Sequence, residues 1–215
     1  MTITGARGNF CSGTLIAPDI VLTAGHCVVP GSTYSVMDGS PTSGRALSVR
    51  SVALHPRFNL QTMLAHRATA DVALLRLAER QPNRTLAPIG APRLPIAPNA
   101  RFSVAGIGVT STSDDSGLGT VRIVSLSVTG QPGGLQVRLV DPVTANKRPG
   151  LGACTGDSGG PVFEDQNGQQ ILVGVVSWST GANNSDGCGG LTGMTPLTLY
   201  RDWVLSIARS WGASF

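Results

Sequence analysis

Residues 156–161 read Gly156-Asp157-Ser158-Gly159-Gly160-Pro161, one serine set among three glycines. Glycine carries no side chain, so the backbone around such a serine can come close to a ligand. Its N–H groups are left free to point into a pocket, where each can stabilise an oxyanion by about 2.7–4 kcal/mol. The same pattern also describes a plain glycine-rich turn with a surface serine, so the decision rests on what else the chain holds. The possible bases are few: His26, His55 and His66 are the three histidines, and all precede Ser158.

That order excludes the nucleophile elbow of α/β-hydrolases, which needs an acid and then a histidine after the serine. An Asp-His-Ser order fits poorly, because only Asp19, in a turn between two strands, precedes His26. His-Asp-Ser is available. His26 stands in Leu22-Thr23-Ala24-Gly25-His26-Cys27, and Asp71 opens Asp71-Val72-Ala73-Leu74-Leu75. His26 follows a strand and adjoins a cysteine, which pins its backbone as a general base requires. Asp71 precedes an apolar strand, where its carboxylate can be buried and turned toward an imidazole. These two segments and residues 156–161 resemble the histidine, aspartate and serine motifs of the trypsin-like serine proteases, and the similarity runs from about Phe10 to the end of the chain. The resemblance implies that Ser158 attacks the acyl carbon, His26 shuttles the proton and Asp71 holds the imidazole tautomer. It also implies an oxyanion hole made by the N–H groups of Gly156 and Ser158. His55, at a strand end before Pro56, and His66, in the polar loop 61–70, read as ordinary surface histidines.

The composition agrees with such a fold. The 215 residues are 41% hydrophobic and only 13% charged, with 28 Gly, 14 Pro and two Glu, which favours an all-β chain of short strands. No apolar run reaches the length of a membrane-spanning helix, about 18 residues. Strands are expected at 14–16 and 20–23 around the turn Ala17-Pro18-Asp19, and at 48–54, 71–77, 102–106, 121–128, 136–140 and 171–178. Pro88, Pro92, Pro95 and Pro98 cannot sit inside a sheet. Leu197, Tyr200, Val204, Ile207, Ala208 and Trp211 follow helical spacing after Pro196, and only this C-terminal stretch looks helical. The resemblance implies two six-stranded antiparallel β-barrels with a C-terminal α-helix. Residues 1–85 would form the barrel carrying His26 and Asp71, 86–100 a proline-rich linker, 101–196 the barrel carrying Ser158, and 197–215 the helix packed on both.

The net charge of +4 comes from 15 Arg and Lys147 against 12 acids, and its excess lies in the first 100 residues, with 9 basic and 4 acidic. The basic residues form no dense clusters with aromatics between them, so no nucleic-acid partner is expected. Four cysteines without C-x-x-C spacing disfavour zinc or any other metal and point to two disulfides in an oxidising compartment. The resemblance implies the pairs Cys11–Cys27 and Cys154–Cys188, few enough bridges for a lean bacterial relative. A secreted or periplasmic monomer acting on polypeptides is expected, with no cofactor and no membrane association.

Two departures from the resembled pattern stand out. Ten residues precede Cys11, no Ile-Val-Gly-Gly occurs among them, and residues 1–5 do not read as a signal peptide, so a signal peptide is expected upstream. In the family the ammonium of a freed amino terminus pairs with the aspartate before the serine, here Asp157. Without it the oxyanion loop is expected to be disordered or zymogen-like, and the chain from Met1 folded but weakly active. The second departure concerns specificity. Gly152, six residues before Ser158, stands where trypsin-type members carry Asp. The walls implied by the resemblance, Ser177, Trp178 and Ser179 on one side and Gly193 on the other, carry no charge; Asp186 is the only acid able to approach. Small to medium uncharged side chains are expected in this pocket. The alternative is a zymogen-like or non-catalytic binding protein on the same fold.

Overall fold

The computed structural model describes residues 1–5, 10–28, 32–39, 44–65, 67–111 and 116–215. The first sheet comprises β1 (Thr2–Gly5), β2 (Phe10–Ser12), β3 (Thr14–Ala17), β4 (Ile20–Thr23), β5 (Tyr34–Asp38), β6 (Arg45–Leu54) and β7 (Ala73–Leu77). Its order is β2-β1-β5-β6-β7-β4-β3, with every pair antiparallel. The two edge strands are consecutive pieces of chain separated by Gly13 alone, so the sheet closes covalently on itself. A Cβ on Gly13 would come within 2.6 Å of Val21 and 2.9 Å of Ile3, which explains the glycine at this corner. The second sheet is a closed six-stranded barrel of β8 (Arg101–Gly106), β9 (Arg122–Gly130), β10 (Val137–Val140), β11 (Pro161–Gln166), β12 (Gln169–Ser179) and β13 (Leu191–Pro196). The chain therefore has the all-β chymotrypsin fold, two antiparallel barrels and a C-terminal helix.

Each barrel has its own core, and a third apolar cluster lies between them. Val21, Ala73 and Leu75 face the first barrel interior, while Ile20, Leu22 and Leu74 face the second barrel and the C-terminal helix. Both faces of β4 and β7 are thus buried, which is why Ile20–Leu22 and Ala73–Leu75 read as continuous apolar runs rather than alternating ones. Residues 86–100 form no strand beyond an isolated bridge, Ile89 to Leu172, yet they bond to both barrels: Ala87 N donates to Leu15 O (3.0 Å) and Gly90 N to Leu172 O (2.9 Å).

Helix formation differs from the sequence expectation in two places. A short helix α1 (Leu60–Leu64) follows Asn59, whose side chain accepts from Thr62 N at 2.8 Å. One turn gives no apolar periodicity to detect; the cap makes it. At the C-terminus Pro196 ends β13, a tight turn spans Leu197–Leu199, and helix α2 (Arg201–Ser210) then buries Val204, Leu205 and Ala208.

His55 is not a surface histidine. It is 5% exposed, with Tyr200 and Trp203 edge-on to its ring at 5.0 and 4.8 Å. Burial, helped by the nearby Arg57 guanidinium, pushes its pKa below 6.5. The folded state therefore resists the proton that the unfolded chain accepts. Stability is full above the unfolded value of about 6.5 and falls as the pH drops through the window below it. Lowering the pH from 7.5 to 5 is expected to lower the urea midpoint, and His55→Phe, which keeps the ring packing, to flatten that dependence. Equal pH slopes for the two proteins would remove His55 as the cause. His66 lies outside the described residues.

Candidate active site

A single turn of 3-10 helix, Gly25–Cys27, follows β4 and carries His26. It is anchored on one side by the disulfide from Cys27 to Cys11 in β2. It is anchored on the other by Asp71, whose Oδ1 accepts from His26 N at 2.8 Å. Asp71 Oδ2 takes His26 Nδ1 at 2.8 Å and the Ser177 hydroxyl at 2.5 Å. This carboxylate is 1% exposed. Burial pushes its pKa up, but the His26 ring and the hydrogen bonds from His26 and Ser177 outweigh that and hold it below the usual carboxylate range. An ionised acceptor at Oδ2 requires the proton on Nδ1, which leaves the Nε2 lone pair free to accept.

The serine segment is shaped by the barrel opposite. Cys154–Asp157 forms a β-turn closed by Asp157 N donating to Cys154 O at 3.0 Å, with Gly156 at φ +93°, a type II geometry that requires glycine in third place. Thr155 O accepts from Val109 N at 2.9 Å. Carbonyl and N–H point oppositely across a trans peptide, so the Gly156 N–H is aimed away from Val109. A Cβ on Gly159 would fall 2.1 Å from Thr23 Oγ1, and one on Gly160 2.3 Å from Ala105 O, so both glycines after Ser158 are required by close approach. Ser158 O accepts from Ser12 N at 2.7 Å and lies 3.7 Å from the Cys27 sulfur, which brings the serine beside the neighbour of His26. Among the described residues the hydrogen bonds of the site join His26, Asp71 and Ser177 but not Ser158 to His26. That contact commonly tightens only when substrate binds.

The structure gives Asp157 partners that the sequence did not reveal. Its Oδ1 accepts from Gly108 N and its Oδ2 from Cys154 N, both at 2.8 Å. Burial raises its pKa in spite of these bonds and the Arg122 guanidinium, which itself donates to Gly108 O and Gly117 O. Residues 154–160 are held by a continuous set of hydrogen bonds rather than disordered. Behind them a cavity of about 390 Å³ is lined by Gly106, Arg122, Gly152, Cys154 and Asp157. A cavity of about 560 Å³ at Met1, Leu86 and Phe163 touches none of His26, Asp71 and Ser158, so its size gives it no part in their chemistry.

Two of the expected wall residues are placed otherwise: Ser177 turns its hydroxyl to Asp71, and Gly193 lies off the face that holds Gly152. Direct cross-strand partners share a face of a sheet. Ser179 pairs with Thr192 and Trp178 with Gly193. Thr192, 0% exposed, accepts from Ala153 N at 2.9 Å, and its Oγ1 lies 3.4 Å from where a Cβ on Gly152 would stand. Ser179 and Thr192 therefore face Gly152. Gly193 faces the other way, and a Cβ on it would meet the Trp178 indole at 2.1 Å. Thr192, rather than Gly193, stands beside Gly152. The Cys154–Cys188 bridge and the bond from Gly150 N to Gly189 O (2.9 Å) tie the neighbouring loops together, while Asp186 lies exposed. Cys11, His26 and Cys27 place three ligand atoms within 4.8 Å of one another, but the two sulfurs are bonded to each other and offer no thiolate to a metal.

The fold and this set of residues define a trypsin-like serine protease scaffold. The chain belongs to the trypsin family, whose sequence profile, described as Trypsin, matches residues 1–204. It is 30% identical over 217 residues to Trypsin 5G1 of Aedes aegypti, covering 93% of this chain and 76% of that one. It is also 30% identical over 220 residues to chymotrypsin-like elastase family member 1 of Canis lupus familiaris, covering 93% and 81%. Among solved structures it superposes on human heparin binding protein with a TM-score of 0.73 at 25% identity, over 100% of this chain and 92% of the other. These insect and mammalian relatives lend no support to the expected bacterial origin. No helix among the described residues is long and apolar enough to cross a membrane.

Proposed function

We propose that this protein is a secreted serine endopeptidase working through His26, Asp71 and Ser158. The barrel of 1–85 supplies the base and its orienting acid, that of 101–196 supplies the nucleophile, 86–100 joins them and 197–215 packs on both. The observation that carries the reading is the three-donor grip on Asp71, which fixes the Nδ1–H tautomer of His26. Nε2 then takes the Ser158 proton as Oγ adds to the carbonyl carbon. The Gly156 and Ser158 N–H groups stabilise the resulting oxyanion. Collapse breaks the C–N bond, and the imidazolium gives its proton to the leaving amine. Water, deprotonated by His26, then hydrolyses the ester to Ser158 and restores the enzyme. Two disulfides support an oxidising, extracytoplasmic setting. A serine-directed phosphonate is expected to label Ser158 stoichiometrically. A folded protein that takes up no label would reject catalysis and favour the binding-protein alternative.

Specificity for small to medium uncharged side chains follows from Gly152, Ser179 and Thr192. A guanidinium entering there would lose its hydration with no carboxylate to compensate, and the Thr192 side chain takes up depth beside Gly152. Cleavage of a peptide library should be dominated by uncharged residues before the scissile bond. A profile led by Arg or Lys would overturn this and direct attention to Asp186.

A further inference from the structure

Four peptide groups link Thr155 to Gly159, and each carbonyl has a partner. Thr155 O accepts from Val109 N and Asp157 O from Gly160 N, both at 2.9 Å. Gly156 O accepts from the Ser12 hydroxyl at 2.9 Å, and Ser158 O from Ser12 N at 2.7 Å. Two of the four thus end on one residue of the opposite barrel. Ser12 is 2% exposed. Its hydroxyl also accepts from Ile107 N at 3.1 Å, and its carbonyl from Thr23 Oγ1 at 2.9 Å. Thr23 ends β4, the strand leading into the His26 turn, and Cys11, before Ser12, is bridged to Cys27 after His26.

We infer that Ser12 is a positioning residue of the oxyanion hole. The inference rests on the reading of the chain as a serine endopeptidase. A peptide group turns as a rigid unit, and the two that Ser12 holds, 156–157 and 158–159, flank the one that carries the Ser158 N–H. Gly156, at φ +93°, has no Cβ to resist rotation once its carbonyl is released. Losing the hydroxyl therefore frees peptide 156–157, next to the one that carries the Ser158 N–H, while Val109 still fixes 155–156 with the Gly156 N–H and Ser12 N still holds the Ser158 carbonyl. Ser12 touches no substrate, so its effect belongs in turnover and not in ground-state affinity.

The test compares the unmodified protein with Ser12→Ala and Thr23→Val, the latter keeping side-chain volume while releasing the Ser12 carbonyl. Ser12→Ala is expected to lower kcat about 10²-fold, the effect of one lost oxyanion donor, with KM within threefold. Affinity for a peptide aldehyde, whose hemiacetal oxygen occupies the hole, should fall by the same factor as kcat/KM. Amide exchange should quicken at 155–159 and stay unchanged in β6 and β12. Thr23→Val should move the same readouts in the same direction by less, and it decides the matter if Ser12→Ala does not fold. A kcat within threefold, or exchange quickened equally across both barrels, overturns the inference. If the unmodified protein cleaves no peptide, the endopeptidase reading fails, and the exchange comparison still decides whether Ser12 holds the loop.

Discussion

Alanine at position 158 is expected to lower turnover about 10⁶-fold, and His26→Ala by a similar factor, because nucleophile and base act as one unit and losing either disables both. In the proposed mechanism the Ser158 hydroxyl oxygen forms the acyl bond, and Ser158 directly follows the type II turn Cys154–Asp157 that carries the Gly156 N–H. A residual rate of about 10³–10⁴ over water should survive, supplied by the oxyanion donors and by binding. KM should change little. Stability should change little as well, since the Ser158 carbonyl keeps its bond from Ser12 N and the Gly159 amide its bond to Val176 O at 2.7 Å. Steady-state hydrolysis of a peptide amide at matched protein concentration measures the effect. Activity within tenfold of the unmodified enzyme for either substitution would overturn the assignment of the triad.

How much of the fold the sequence discloses depends on where each strand finds its partners. β4 and β7 bury both faces and are visible as apolar runs. β1, β2 and β5 are three to five residues long and carry Thr, Ser, Gly and Asp among their apolar positions. Such segments become strands only because a neighbour supplies the ladder, and β1 pairs with both β2 and β5. β11 begins at Pro161, a residue that argues against a strand from sequence, and is accommodated as the first position of one. The six-strand expectation for the first barrel and its seven observed strands differ by the break at Gly13, a packing requirement set by Val21 and Ile3 rather than by local propensity.

In the site, legibility follows rarity. Three histidines leave few assignments for a base; chain order removes the hydrolase elbow, and the turn position of Asp19 makes an Asp-His-Ser order a poor fit. Ser12, Thr23 and Thr192 are common residues in unremarkable surroundings. Their roles come from hydrogen bonds spanning 144, 11 and 39 residues of chain. No local signal could have found them. That Thr192 rather than the expected Gly193 stands beside Gly152 is a matter of strand register. A strand alternates its faces, so a shift of one residue reverses which side a position serves. The register of β12 against β13 shifts between Val176 and Trp178. Counting along the sequence cannot see that irregularity. The same holds for Ser177, expected as a pocket wall, whose hydroxyl turns to Asp71 instead.

Asp71→Asn is expected to lower kcat about 10⁴-fold at neutral pH while leaving the geometry of the site intact. The amide replaces two equivalent acceptors by one acceptor and one donor, and the question is which way it turns. With its oxygen at the Oδ2 position it would still receive His26 Nδ1–H and Ser177 O–H, but its NH2 would face the backbone N–H of His26, a donor with no alternative. With its oxygen at the Oδ1 position the backbone bond survives, and the NH2 meets the imidazole and the Ser177 hydroxyl. Those two can adapt: the ring can move its proton, and the hydroxyl can rotate. The second orientation therefore wins, and it imposes a cost on chemistry rather than on folding. An NH2 donating to Nδ1 leaves the proton on Nε2, and an Nε2–H cannot accept the proton of Ser158. The loss should appear in kcat with KM nearly unchanged. Nitrogen NMR of the ring should report Nδ1 as the unprotonated nitrogen. A loss smaller than tenfold, or a variant whose Nδ1 still carries the proton, would show that Asp71 does not set the tautomer.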